Sequence, residues 1–208
     1  MKIALVNGSP HENGCTNRAL TEIKNELLKE GIASEIFWIG NEGIPSCRGC
    51  GACVKLKKCV INDKVNEFAI KLSEYDGFVF GSPVHYAAIS GDLSSFMSRL
   101  FYSAKQTGNF SLKPAAGIAV ARRAGTLPAF DQLNKFFTIC EMPVISSTYW
   151  NMAFGSKPAD VEKDEEGLLT MRNLARNMAF FLKCKEAGIK NGVKLPEKEA
   201  PLRTSFIR

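Results

Sequence analysis

Residues 2–17, KIALVNGSPHENGCTN, decide the architecture of this chain. KIALVN is an apolar run without polar alternation, the pattern of a strand covered on both faces. It stops at Gly8-Ser9-Pro10, and from Thr16 to Lys29 the apolar residues Leu20, Ile23, Leu27 and Leu28 recur at helical spacing. Strand, loop and helix therefore follow in that order. Similar runs return at ASEIFWI (33–39), DGFVFGSP (76–83), AAGIAVA (115–121) and MPVISS (142–147). Helical patterns separate them: 64–74 behind the capping candidate Asp63, 91–105 with Leu93, Phe96, Met97, Leu100 and Phe101 on one stripe, and 127–140. A last helix is expected at 167–186. Five strands alternating with helices predict an α/β fold with a doubly wound parallel sheet, in one domain over 1–188, followed by a tail, 189–208. Such sheets take ligands beyond the carboxyl ends of their strands, at the topological switch point. The loops after the first, third and fourth strands are the expected site.

The 208 residues are 45% hydrophobic, enough for one sizeable core, and no apolar run reaches the ~20 residues that a bilayer span needs. The opening MKIALVNGSP has no basic leader and no small-residue cleavage site, so a cytoplasmic protein without membrane contact is expected. The net charge of +6 comes from scattered Lys and Arg, with KLKK at 55–58 as the densest run, which argues against nucleic acid as a partner.

The first loop suits a phosphate. A helix N-terminus offers unpaired N–H groups and the positive end of its dipole, Ser9, Thr16 and Asn17 add hydroxyl and amide donors, and Pro10 and Gly14 shape the turn. Neither G-x-x-x-x-G-K-[ST] nor G-x-G-x-x-G occurs there, which argues against a nucleoside triphosphate or a standard dinucleotide site. After the third strand, GSPVHYAAISGDL (81–93) sets His85 and Tyr86 among small residues, with Pro83 expected to fix the turn; this suits a flat ring. After the fourth, ARRAGT (121–126) supplies Arg122, Arg123, backbone amides and Gly125 for close approach. No catalytic side chain stands out, since a lone loop histidine such as His85 is ordinarily a surface or packing residue.

Four of the seven cysteines fall within SCRGCGACVKLKKCV (46–60), inside an inserted loop spanning about 43–62. Cys47, Cys50, Cys53 and Cys59 read C-x2-C-x2-C-x5-C, which admits disulfides, a zinc site, a redox dithiol or an iron-sulfur cluster. A reducing compartment and an odd cysteine count argue against disulfides, and zinc sites more usually set two C-x2-C pairs well apart. Spacings of three turn thiolates toward one cluster, and free thiols remain the alternative. Cys15, Cys140 and Cys184 read as packing residues, small buried hydrophobes.

Taken together, GSPHENGCTN, GSPVHYAAISGDL, STYWNMAFG, the cysteine stretch and the closing RTSFIR resemble the NADPH-dependent FMN reductase branch of the flavodoxin-like superfamily, and within it the iron-sulfur flavoproteins. That resemblance implies a flavodoxin-like three-layer sandwich and a flavin-dependent oxidoreductase. It implies FMN with its phosphate in the loop of Ser9, His11, Asn13, Cys15, Thr16 and Asn17. The ring then lies against Pro83, Val84, His85, Tyr86, Arg122, Arg123, Gly125 and Thr126. It further implies a 4Fe-4S cluster on Cys47, Cys50, Cys53 and Cys59, NAD(P)H or a ferredoxin-like protein as redox partner, a small-molecule substrate and a homo-oligomer. Relatives without a cluster point instead to NAD(P)H-dependent flavin or quinone reduction, and a non-enzymatic redox carrier or sensor is the third reading. Members commonly carry Arg directly after GSP, where this chain has His11, so backbone amides and hydroxyls carry more of the phosphate binding here.

Overall fold

Strands β1 (Lys2–Asn7), β2 (Ala33–Trp38), β3 (Gly77–His85), β5 (Ala115–Ala121) and β6 (Met152–Phe154) run parallel in the order β2-β1-β3-β5-β6. A two-residue β4 (Ala88–Ile89) folds back antiparallel on the end of β3. Helices α1 (Cys15–Lys29) and α7 (Glu165–Lys190) cover one face, and α3 (Lys64–Ala69), α4 (Gly91–Ala104) and α5 (Thr126–Thr138) cover the other. Short helices α2 (Cys53–Leu56) and α6 (Pro158–Val161) lie in connections. This computed structural model describes residues 1–107, 110–200, 202 and 204–206. Setting β4 aside, the order is that of the flavodoxin-like doubly wound sheet, so the expected three-layer architecture forms.

The continuous apolar runs follow from burial on two faces. Along β1, Ala4 and Val6 enter the core under α3, α4 and α5, while Ile3 and Leu5 enter the one under α1 and α7. Along β3, Phe78 and Phe80 take the first side and Val79 the second. Successive side chains point to opposite faces, so a strand with two cores shows no polar alternation. Phe78, Phe80, Phe101, Phe110 and Phe137 fill the first core with ring centroids 4.5–6.3 Å apart.

Four expectations need correction. The fifth parallel strand is 152–154, not 142–147. Val144 makes one parallel bridge to Ala115 and Met152 pairs with Ala119, so eight residues cross what β5 crosses in four, and the intervening chain bulges out with Tyr149 and Trp150 exposed. Ala115 N donates to Pro143 O and Ile145 N to Ala115 O, both at 2.9 Å, and beyond them Ser147 Oγ donates to Thr170 O of α7 at 2.7 Å. The helix expected at 64–74 stops at Ala69, with a separate 3-10 turn at Leu72–Glu74. Cys140 is buried as expected, whereas Cys184 is exposed. The last helix, expected at 167–186, spans Glu165–Lys190, and beyond it Lys198 reaches Ser111 Oγ (2.7 Å) and Glu141 (2.5 Å). Positions 201, 203, 207 and 208 of the expected tail lie outside the described residues.

Helices α1 and α7 are tied by ions as well as by apolar packing. Glu26, buried on α1, accepts from Lys29 at 2.8 Å and from Arg176 at 2.7 Å, and Glu22 accepts from Arg18 and Arg172 at 2.9 and 2.6 Å. The Lys29 hydrogen bond and, beyond it, Arg176 hold the Glu26 carboxyl below its ordinary range in spite of burial. A lowered native value means that its stabilisation is complete above the ordinary glutamate range and is lost as pH falls through the native value. Glu26→Gln is expected to cost roughly 1.5 kcal/mol or more at pH 7 and to flatten the acid limb of stability, read from urea unfolding at stepped pH. An unchanged acid limb would assign that limb to other carboxylates.

Candidate functional site

The loop from β1 to α1 is wound on the side chain of Asn7, which is fully buried. Its Nδ2 donates to Glu12 O (2.9 Å) and its Oδ1 accepts from Ser9 N (3.1 Å). Ser9 Oγ accepts from His11 N at 3.1 Å, Gly14 N donates to His11 O at 3.1 Å, and Trp38 Nε1 donates to Ser9 O at 2.8 Å. Ser9 and Thr16 are buried, Cys15 and Asn17 are half-buried, and His11 and Asn13 are exposed. Cys15 Sγ contacts Gly155 O at 3.5 Å, and burial pushes its thiol up, so the side chain is a neutral tie between α1 and the end of β6.

Helix α1 starts on Gly14 with no side-chain cap and no acid in its first turn. Helix α5 starts the same way on Gly125, at φ 87°. By contrast, Asp63 caps α3, Ser90 caps α4 and Asp164 caps α7 with side-chain oxygens. Of the helices that begin at the carboxyl end of the sheet, α1 and α5 are thus the two whose first N–H groups have no side-chain cap and stay open to an outside anion or acceptor.

Pro83 does not fix the turn after β3. It lies within the strand, paired with Val120, and the reversal comes at Tyr86 and Ala87, both left-handed (φ 49° and 59°) as a two-residue hairpin between twisted strands demands. Proline is tolerated because the sheet is ending there. Pro83 and Val84 are half-buried, and His85 and Tyr86 are exposed, Tyr86 completely. Arg122 and Arg123 are exposed, and Thr126 is buried with Oγ1 3.4 Å from Met152 Sδ. The loops after β3 and β5 meet at Gly125, where a Cβ would sit 3.0 Å from Ala87 Cα and from Val84 Cγ1. All three loops therefore come together at one end of the sheet.

The cysteine loop sits beside α4. Cys47, Cys50, Cys53 and Cys59 line one shallow concavity of about 20 Å³ with Arg48, Arg99 and Tyr102. Cys47 and Cys50 are exposed, Cys53 is buried and Cys59 is half-buried. Burial pushes the Cys53 thiol up, with Cys59, Cys47 and Cys50 adding to it. Gly49 and Gly51, at φ 64° and 66°, have open space around them. Among the described residues, no three His, Cys, Asp or Glu side chains are drawn close enough for a single metal ion. A cluster that takes one thiolate per iron sets its ligand sulfurs around a larger body, so four thiols on one wall suit that donor set better than a mononuclear site.

Several residues of this region were not singled out by sequence. Ser90 Oγ donates to Gly8 O (2.6 Å) and accepts from Leu93 N (3.3 Å), while Ser90 N donates to Ser82 Oγ (2.9 Å). Asn66 takes Cys59 N on Oδ1 and gives Nδ2 to Cys59 O and Ile61 O. Arg99 is fully buried beneath the cysteine loop. Its only local signal was a charge between Phe96, Leu100 and Ser103 on a helix whose stripe is apolar.

Known proteins match both the sequence and the fold of this chain. The profile of the NADPH-dependent FMN reductases fits residues 1–157. The chain belongs to that family. As a member of the NADPH-dependent FMN reductase family it is an FMN-binding, flavin-dependent oxidoreductase. It is similar to an iron-sulfur flavoprotein of Methanocaldococcus jannaschii, 33% identical over 192 residues, which cover 88% of this chain and 98% of the relative. Among solved structures, RosB with a bound 8-demethyl-8-formylriboflavin-5'-phosphate intermediate has a TM-score of 0.70 at 13% identity, covering 100% of this chain and 94% of the other. The apo NADH:FMN oxidoreductase EMOB has 0.64 at 16% identity, covering 86% and 88%. Those two likenesses are of fold. No described helix of this family member is long and apolar enough to cross a membrane.

Ser90 joins the end of β1 to the start of α4, so Ser90→Ala is expected to cost about 1–2 kcal/mol in urea unfolding by losing a cap and a buried hydrogen bond. A loss below about 0.5 kcal/mol would mean that the Gly8 carbonyl and the α4 terminus find other partners.

Proposed function

We propose that this protein is an FMN-dependent electron-transfer oxidoreductase that holds the FMN phosphate at the start of α1 and a 4Fe-4S cluster on the cysteine loop. The observation that carries the phosphate assignment is the uncapped, acid-free N-terminus of α1 at the switch point. In this reading the backbone N–H groups of Cys15, Thr16 and Asn17 face the phosphate. Ser9, His11 and Asn13 complete the loop, with Thr16 packed against β3 at Gly81 rather than free in solution. Pro83, Val84, His85 and Tyr86 form one wall for the ring. Arg122, Arg123, Gly125 and Thr126 form the other, with the open start of α5 and the two arginines favouring negative charge on it. No side chain is assigned a proton-transfer role. Bound FMN supplies the redox chemistry, and the polypeptide contributes position, dryness and electrostatics.

For the cluster, the support is the convergence of Cys47, Cys50, Cys53 and Cys59 on one concavity and the iron-sulfur flavoproteins among the relatives. A cluster adds one-electron exchange, which suits a ferredoxin-like donor; without it, hydride transfer from NAD(P)H to reduce a flavin or quinone is the remaining route.

Two experiments test this. Asn17→Asp puts a carboxylate in the first turn of α1, which favours the helix but repels a phosphate. FMN affinity by fluorescence titration is expected to fall at least about tenfold while the apo-protein keeps or slightly gains stability; unchanged affinity would remove the phosphate from this loop. Anaerobically prepared protein is expected to contain iron and acid-labile sulfide together with FMN. Cys59→Ser is expected to lose iron and sulfide in parallel and keep its FMN. Stoichiometric FMN with no iron after reconstitution would leave the hydride-transfer reductase.

A further inference from the structure

The guanidinium of Arg99 has five N–H bonds, and all five are used on the cysteine loop. Nε donates to Cys59 Sγ at 3.4 Å. Nη1 donates to Asp63 Oδ2 at 2.6 Å and Pro45 O at 3.3 Å, and Nη2 donates to Asp63 Oδ1 at 2.9 Å and Ile61 O at 3.0 Å. No part of the side chain reaches solvent. Burial works against the charge, and the hydrogen bonds of Asp63 and then Cys59 outweigh it. One residue of α4 therefore grips the loop at its start, at its last cysteine and at its exit.

Cys59 is the point where that grip closes. Asn66 holds its N–H (3.2 Å) and its C=O (2.9 Å), and Arg99 holds its sulfur. Cys47 and Cys50 are exposed, and Cys50 stands between Gly49 and Gly51, which have open space around them. The loop thus has one fixed thiol and a loose opposite side. A buried ion pair is weak evidence for stability, because well-packed apolar residues often replace one without loss. A guanidinium with a donor spent on sulfur has a chemical use besides, since hydrogen bonds to ligand sulfurs set cluster potentials.

We propose that Arg99 is a positioning residue of the metal loop: with Asn66 it holds Cys59 as the preformed anchor, and its Nε–H donates to the anchor's sulfur and thereby raises the reduction potential of the cluster. This rests on the cluster reading above. Arginine is required because only its fork reaches two carboxylate oxygens, two carbonyls and a sulfur at once; lysine keeps the charge and loses the fork.

The test compares Arg99→Lys, Asn66→Ala and the double variant Arg99→Met/Asp63→Asn, which leaves no unpaired carboxylate. In anaerobically reconstituted protein, Arg99→Lys is expected to shift the cluster midpoint potential negative in an EPR-monitored titration, with the flavin potential unchanged. Asn66→Ala is expected to lower iron retention and leave the potential of the remaining clusters in place. A wild-type cluster potential in Arg99→Lys overturns the sulfur donation, as does an equal shift in Asn66→Ala, which would trace it to loop disorder. Should wild-type protein take up no iron, the cluster reading fails by itself and the anchoring is judged on iron-free protein by hydrogen exchange. There the Cys59 amide is expected to exchange at least tenfold faster in the double variant, and equal exchange overturns the anchoring.

Discussion

Helix α4 rests on the end of β1 with no space for a side chain between them. A Cβ on Gly8 would meet Leu93 Cδ2 at 2.6 Å and Gly81 O at 2.9 Å, and Ser90 Oγ closes the contact on Gly8 O at 2.6 Å. The geometry of the candidate site hangs on that seat. Ser90 ends the β3–β4 hairpin and starts α4, Asp92 takes Ile44 N at 2.9 Å, Ser95 meets Ser46 at 3.1 Å, and Arg99 grips the loop from Pro45 to Asp63. From Gly91 to Arg99 the helix advances about 12 Å, so one rigid element joins the β1 turn to the cysteine loop.

Two helix starts and one turn at the carboxyl end of the sheet give up local stability. Helices α1 and α5 forgo side-chain caps, each worth about 1 kcal/mol, and Tyr86 and Ala87 hold left-handed backbone without glycine. Helices α3, α4 and α7 keep their caps. The capped starts of α3, α4 and α7 lie at the same end, so the open donors are confined to α1 and α5. The ion-paired α1–α7 surface and the packed phenylalanines carry stability away from the chemistry.

Within the cysteine loop, rigidity is unevenly distributed. Cys59 is tied by backbone and sulfur, Cys53 is buried in a one-turn helix, and Cys47 and Cys50 face solvent, Cys50 between two glycines. A loop fixed on one side and open on the other can admit a bulky inorganic group without unfolding the domain beneath it.

The sequence by itself determined the layers and the place of the loops. Apolar runs of strand length mark residues buried on two faces, and KIALVN, DGFVFGSP and AAGIAVA each became a parallel strand. Burial of this kind is encoded residue by residue, so it is readable without the fold, as is the spacing of the four cysteines. The fifth strand was misplaced because MPVISS has the right composition but makes one bridge; pairing depends on a neighbour's register, which composition does not carry. Which helix starts stay uncapped, where β3 turns and what holds Cys59 were decided by tertiary structure alone. Arg99 meets its partners across 36 to 54 residues of chain. A hydrogen bond between such distant positions exists only once the sheet has set α4 against the loop, and nothing in either segment's own sequence specifies the other.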